Sequence, residues 1–391
     1  RRMTFKHAQE RVSDMQTLTP MTADRRALHR IPELGDELPK TMDYVQDVLG
    51  TLDCEVLFPL DSAVCAYFDF GAADTLAFRA EMDALPIAER TGLPFASQHS
   101  GKMHACGHDG HQAVLLELGR FIAANKERLT GKIKFIFQPA EEGSRGAYAF
   151  VRSGVLDDVD TIICAHFGLD QPPGTVYTAP SKFLCTEKID FEFIGRPSHA
   201  GMHPQTGRNA LMAAANAAIN LMALPRHGDG MTRVNVGNLH AGEGRNVTPV
   251  HADMELEVRG ETAEVNDYMR DSVFRIVDGV ARSYEVKAEV ELAGEATTLP
   301  LCEDLLEIAG ECAKDVPGVE KVMPITKKAG SEDCTILMRR VVAHGGRAAY
   351  LLIGADQNGH HRADFDIVDE KSLPVGIGVA TKIIERLNGR S

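Results

Sequence analysis

The run Ile133–Phe137, closed off by Gly131 before it and Pro139 after it, is short and dominantly apolar, the pattern of a strand buried on both faces. A second such run is Thr161–Ala165, and Val64–Phe70 and Thr75–Ala80 alternate as strands ahead of both. Helical periodicity covers Thr22–Leu49 and His111–Leu129. Doubly buried strands need helices on both faces, so this part of the chain is constrained to an α/β domain. In open α/β sheets ligand sites gather where strands end, and the polar motifs of this chain sit at those points.

After Pro180 the pattern changes. Glu187–Ile194 alternates like a half-buried strand, and Asn209–Leu224 is an Ala-rich helix. Strand candidates Arg233–Leu239 and Asp253–Arg259, a helix Ala263–Arg282 and a strand Glu285–Leu292 follow. The order β-α-β-β-α-β is the split unit of ferredoxin-like domains. The expected fold is therefore α/β with two domains: a main domain over 1–183 and 297–391, and an inserted ferredoxin-like domain over 184–296. No internal repeat or low-complexity linker interrupts this plan.

The residues with chemistry are concentrated. Met103–His111 holds Cys106, His104, His108, His111 and Asp109 just ahead of a helix, and thiolate and imidazole are preferred ligands of borderline-soft divalent metals. Glu141 and Glu142 stand side by side directly after a buried strand, where paired charges are costly unless a metal neutralises one. Adjacent carboxylates can then divide the work, one coordinating metal and the other moving protons. His166 ends another apolar strand, His360 and His361 sit in a Gly-flanked loop, and Glu81 and Asp83 follow the strand at Thr75. Serine-nucleophile, P-loop and dinucleotide signatures are missing, and Gly242-Glu243-Gly244 resembles a phosphate loop only superficially. The serious rival is a Cys106 nucleophile paired with His108, which leaves Glu141, Glu142, His166 and His361 without a role.

Bulk properties narrow the partners. A net charge of −14 argues against a nucleic-acid surface, and no apolar run approaches the roughly 20 residues of a membrane span. Arg1–Thr19 is polar and lacks the apolar stretch of a signal peptide, and the eight cysteines form no CxxC pair. Both readings point to the cytoplasm and to free thiols.

His104–His111 (HACGHDGH), Phe137–Gly143 (FQPAEEG), the strand-end His166, and Gly359–His361 followed by Phe365-Asp366-Ile367 together resemble the dinuclear metallo-aminoacylase and carboxypeptidase family. The resemblance is to its amidohydrolase branch, which includes hydrolases of hippurate and of indole-acetyl amino acids. Arg233–Gly237, Gly244–Val247 and Gly330–Asp333 extend it to nearly the whole chain. It implies hydrolysis of the amide bond of N-acyl amino acids, with acyl-glutamate or acyl-aspartate such as aminobenzoyl-glutamate or indole-acetyl-aspartate as substrate. One alternative is a dipeptidase; the other is a partner subunit without catalysis of its own.

The same resemblance implies two divalent ions, Mn²⁺ or Zn²⁺, held by Cys106, His108, Glu142, His166 and a C-terminal histidine. Glu141 is then the general base, and Asp83 orients a liganding histidine. Counting back from Phe365 selects His361 over His360. Three departures stand out: Glu81 replaces the usual Asp, Arg362 and Ala363 interrupt a His-x-Pro pattern, and no Trp follows His166. None removes a ligand; the first two leave the surrounding hydrogen bonds and the choice between His360 and His361 open. The inserted domain is expected to act as a lid and dimer surface, giving a homodimer or a pairing with a related second subunit. His199 matches a lid histidine that reaches the partner's site to stabilise the developing oxyanion. An acidic protein must also place a cation near the metals to bind the substrate carboxylate. Arg245-Asn246, in the Gly-rich turn after Leu239, is the candidate.

Overall fold

The computed structural model describes residues 18–390 apart from 72–73, 144, 169–170, 179–182, 300–301, 325–330 and 356–358. The N-terminal segment up to residue 17 and Gly330 therefore lie outside the described residues. The first part of the chain forms α1 (Pro20–His29), α2 (Pro39–Leu49), β1 (Glu55–Leu57), β2 (Val64–Asp69), β3 (Thr75–Glu81), α3 (His108–Asn125), β4 (Lys132–Gln138), α4 (Gly146–Ser153), β5 (Thr161–Phe167) and β6 (Thr175–Thr178). Next come β7 (Cys185–Ile194), α5 (Ala210–Met222), β8 (Thr232–Ala241), β9 (His251–Gly260), α6 (Ala263–Tyr284) and β10 (Lys287–Ala296). The chain closes with α7 (Glu303–Lys314), β11 (Lys321–Met323), α8 (Cys334–Ala343), β12 (Arg347–Ile353) and α9 (Asp369–Asn388).

Two sheets result. One has eight strands in the order β1-β2-β4-β3-β5-β12-β6-β11; the other has four in the order β10-β7-β9-β8. In the large sheet β4, β3, β5 and β12 run parallel side by side, so their carboxyl ends share one edge. Every position of β3 is buried, as a doubly covered strand requires. Lys134, the one charge within the apolar run of β4, is buried too; its ammonium donates to Val155 O at 2.7 Å and pairs with Asp158. The small sheet is antiparallel throughout and packs Phe191, Phe193, Met254 and Leu256 against α5 and α6, forming a core of its own.

One helix differs from expectation. The periodic stretch Thr22–Leu49 is two helices, because Pro32 and the left-handed Gly35 (φ +59°) break it and Pro39 restarts it. The buried carboxylate of Glu33 accepts the Thr41 amide at 2.9 Å and so serves as the missing cap of α2. Among the described residues no helix is long and apolar enough to cross a membrane.

Candidate metal centre

Four chain segments converge at the shared carboxyl edge. β3 delivers Glu81 and Asp83, β4 delivers Glu141 and Glu142, β5 delivers His166, and the loop after β12 delivers His360 and His361. Cys106 and His108 arrive from a different direction, at the start of α3, where Gly107 (φ +92°) makes the turn. That positive φ favours glycine, and a Cβ on Gly107 would also make a tight contact, 3.2 Å from Ile367 Cγ2. Ala140 and His361 also adopt positive φ, +55° and +60°, conformations that non-glycine residues enter mainly where surrounding structure holds them.

The ligand-type atoms form overlapping groups. Cys106, His108 and His166 offer atoms within 4.8 Å of one another, and so do Cys106, Glu142 and His361, and His108, Glu141 and Glu142. His108 Nε2 and Glu142 Oε1 are buried without a hydrogen-bond partner and lie 4.0 Å apart. Two ligands of one tetrahedral ion with bonds of about 2.0–2.2 Å stand roughly 3.3–3.6 Å apart, so a small side-chain rotation brings both atoms to one ion. The donors are a thiol, imidazoles and carboxylates, which fits a borderline-soft divalent metal. His361 Nε2 stands 3.3 Å from Glu142 Oε2, while His360 Nδ1 stands 3.3 Å from Cys106 Sγ, so the structure brings both histidines to the centre.

Hydrogen bonds set the orientations. His108 Nδ1 donates to the Asp83 carbonyl at 2.7 Å; the Asp83 carboxylate is farther, at 3.6 Å, and accepts the amides of Glu141 and Glu142 at 3.1 and 3.0 Å. Asp83 thus fixes the histidine through its backbone and the carboxylate pair through its side chain. His111 donates from Nδ1 to Glu81 at 2.6 Å and accepts the Phe167 amide on Nε2 at 2.8 Å, so both its nitrogens are used. Glu81 is also paired with Arg79, whose buried guanidinium reaches Asp333 at 2.8 Å and Glu332 at 3.2 Å.

Negative charge exceeds positive here. Burial works against a charged His108, yet Glu81, Asp83 and Glu142 raise it to about 10. Burial pushes Glu141 well above the usual carboxylate range, and Glu332, Asp333 and Glu142 add to the push. Burial also raises Glu142, but contact with His361 and the charge of His108 bring it below its ordinary value. Neighbouring carboxylates driven in opposite directions are the pattern of a divided role, one holding charge and the other accepting protons. Burial keeps the His166 imidazole neutral, the form that binds metal.

A cavity of about 390 Å³ opens above these residues, lined by Cys106, Glu141, Glu142, His166, His360, His361 and, from the small sheet, Thr186, Lys188, Glu257 and Arg259. Lys188 Nζ donates to Glu142 O at 3.3 Å, and Arg259 forms a two-pronged pair with Glu257 at 2.7 and 2.9 Å. These two cations were not singled out in the sequence. Their signal was the alternation of β7 and β9, which puts them on the face opposite the core residues Ile189 and Val258.

His199, Arg245 and Asn246 do not line this cavity. The three are exposed and grouped together, with Ala200 N donating to Asn246 O at 3.1 Å. They lie past the far ends of β7 and β8, whereas the cavity meets β7 at Thr186 and Lys188. Thr186 to Ile194 alone spans roughly 25 Å at ~3.3 Å per residue.

Residues 77–386 match the model of peptidase family M20/M25/M40. The chain is 44% identical to a p-aminobenzoyl-glutamate hydrolase homolog of Haemophilus influenzae, covering 93% of this chain and 97% of the relative. It is also 44% identical to the indole-3-acetyl-aspartic acid hydrolase of Enterobacter agglomerans, over 84% and 77%. Its fold is similar to the crystal structure of the aminobenzoyl-glutamate utilization protein of Klebsiella pneumoniae, with a TM-score of 0.80, 34% identity and coverage of 94% and 95%. A dinuclear metal-binding M20 peptidase of Bacillus subtilis matches with a TM-score of 0.70 and 27% identity, over 93% and 96%.

Proposed function

The chain belongs to peptidase family M20/M25/M40 and is a metal-dependent amidohydrolase of N-acyl amino acids; from that premise we propose that it cleaves acyl-glutamate or acyl-aspartate, aminobenzoyl-glutamate and indole-acetyl-aspartate among them. The observation that carries this reading is the convergence of Cys106, His108, Glu142, His166 and His361 beside Glu141, all but His108 lining a cavity that Lys188 and Arg259 also line. The ligands in this proposal are those five residues, the metals are two Mn²⁺ or Zn²⁺ ions, and the catalytic domain spans 1–183 and 297–391 around a lid at 184–296. A cytoplasmic location belongs to the same reading, supported by eight unpaired cysteines.

When bound, the metals polarise the scissile carbonyl and make water more acidic. Glu141, held next to the ligands but driven toward proton acceptance, takes the proton of the attacking water and returns it to the leaving amine. Asp83 keeps Glu141 and Glu142 in register through their amides. Lys188 and Arg259 meet the substrate's carboxylate, the task that the sequence pointed to Arg245 for. Closure of the lid sheet over the cavity excludes water and strengthens each of these contacts.

His199, Arg245 and Asn246 are proposed to serve a second subunit's site. Support comes from the surface of the lid: Met212, Ile219 and Met222 are exposed along α5, and among the described residues β8 is an edge strand with an unpaired side. Apolar helix surface beside an open edge is what a two-fold interface between copies would cover. Metal removal followed by reloading tests the reading. Chelated protein should lose activity toward aminobenzoyl-glutamate and indole-acetyl-aspartate and regain it with Mn²⁺ or Zn²⁺. Full activity without metal, or cleavage confined to dipeptides, would reject it.

A further inference from the structure

Away from the cavity, one buried cation touches both segments that bring the ligands together. Arg25, on α1, is fully buried. Its guanidinium lies 2.9 Å from Asp109, 2.8 Å from Asp366 and 3.3 Å from Asp369, and stacks over Phe95 at 4.8 Å. Asp109 is the residue after His108 in the first turn of α3. Asp366 and Asp369 flank Ile367 and Val368 in the segment that joins His361 to α9. His29, one turn along α1, adds a contact of 2.7 Å to the same Asp109 oxygen.

The cost of such a cluster is the clue. Removing a guanidinium and its carboxylates from water is expensive, and well-packed apolar residues would often be as stable. What the charged arrangement adds is direction: the guanidinium hydrogen-bonds Asp366 and Asp369, while Asp109 is held beside it by charge at 2.9 Å and by the hydrogen bond to His29, which fixes three chain segments in a way that an apolar contact does not. The clamped segment is strained, with Val368 at φ 50° and ψ 65°, an outlier for a β-branched residue. It also touches the centre: Phe365 packs edge-on against His360 with ring centroids 5.0 Å apart, and Ile367 abuts Gly107. His361 N donates to Ala105 O at 2.8 Å, closing the link between the two ligand segments.

We propose that Arg25 is a positioning residue that sets the spacing between the ligands at the start of α3 and His361, and thereby the affinity of the ion shared by Cys106, Glu142 and His361. The inference rests on the metal centre proposed above. Loss of residues that hold metal ligands in place typically weakens metal binding by about 10–100-fold, and that is the expected effect of Arg25→Met.

The test is a Co²⁺ titration of chelated protein against a competing chelator, following the thiolate-to-cobalt absorption of Cys106, with Tm measured in parallel. Arg25→Met and the milder Asp366→Asn should both weaken one of two Co²⁺ equivalents by that factor. Asp366 is partly exposed and its variant carries the test if Arg25→Met does not fold. Arg120→Met is the control, since Arg120 joins α3 to Asp24 of α1 at 2.7 Å, two turns or more from the ligands, and should lower Tm without changing Co²⁺ affinity. Wild-type affinity for both ions in Asp366→Asn, or equal weakening in Arg120→Met, would overturn the role. Wild-type protein that takes up no Co²⁺ would overturn the metal centre itself, a distinct result.

Discussion

Replacing Glu141 with Gln should make the enzyme slower and, when metal-free, more stable. The acceptor atoms of Glu141, Glu332 and Asp333 lie within 4.8 Å of one another. Two full charges at that distance repel by about 3.5 kcal/mol at an effective dielectric constant of ~20. In metal-free protein, burial and these neighbours push Glu141 well above the usual range, which relieves part of this repulsion. The expected relief is therefore only about 1–3 kcal/mol, seen as a rise of a few degrees in the Tm of chelated protein. Catalysis moves the other way, because the amide cannot accept the water proton, and turnover should fall on the order of 10²–10⁴-fold, or roughly 3–5 kcal/mol of barrier. The assay pairs steady-state hydrolysis of aminobenzoyl-glutamate with metal analysis of the same sample and calorimetry of the chelated form. Near-normal turnover at full metal content would remove Glu141 from proton transfer. A lowered Tm would show that the three carboxylates are not in conflict.

Lys188→Met and Arg259→Met should each raise KM for acyl-glutamate by about 10–100-fold, the worth of one charged hydrogen bond, while Arg245→Ala should raise it less than either; the opposite ranking would return the carboxylate to Arg245. Mixing inactive Glu141→Gln with inactive His199→Ala should restore activity if His199 acts across the interface, because one hybrid site keeps both groups; subunit exchange without recovery would refute that. Glu187, where β7 enters the lid, is raised by burial from its ordinary 4.5 to about 7. The folded protein therefore holds a proton that the unfolded chain releases, and stability falls as pH rises from about 4.5 to 7. Glu187→Gln should raise Tm at pH 8 and leave it nearly unchanged at pH 4, whereas an equal shift at both would point to packing instead.

Much of the candidate centre is legible in the sequence. Cys106, His108, Glu141, Glu142 and His166 stand within a few residues of strand or helix ends, and local periodicity suffices to find those ends. Parallel strands then bring their carboxyl ends to one edge whatever the details of packing. The histidine pair was legible only as a pair, since His360 and His361 both reach the centre and a turn at positive φ decides how each points.

What the sequence could not determine depends on which end of a long strand faces the cleft. β9 alternates along its full length and β7 from Glu187 onward, so Lys188 and Glu192, or Arg259 and Asp253, are equivalent in pattern. The docking of the small sheet on the large one selects Lys188 and Arg259 for the cavity and sends His199 and Arg245 to the opposite end. The same holds for Arg25, whose partners stand 84 to 344 positions away in the chain. Nothing local distinguishes it from Arg26, because the energy of a buried ion cluster exists only once packing has excluded water from all of its members at once.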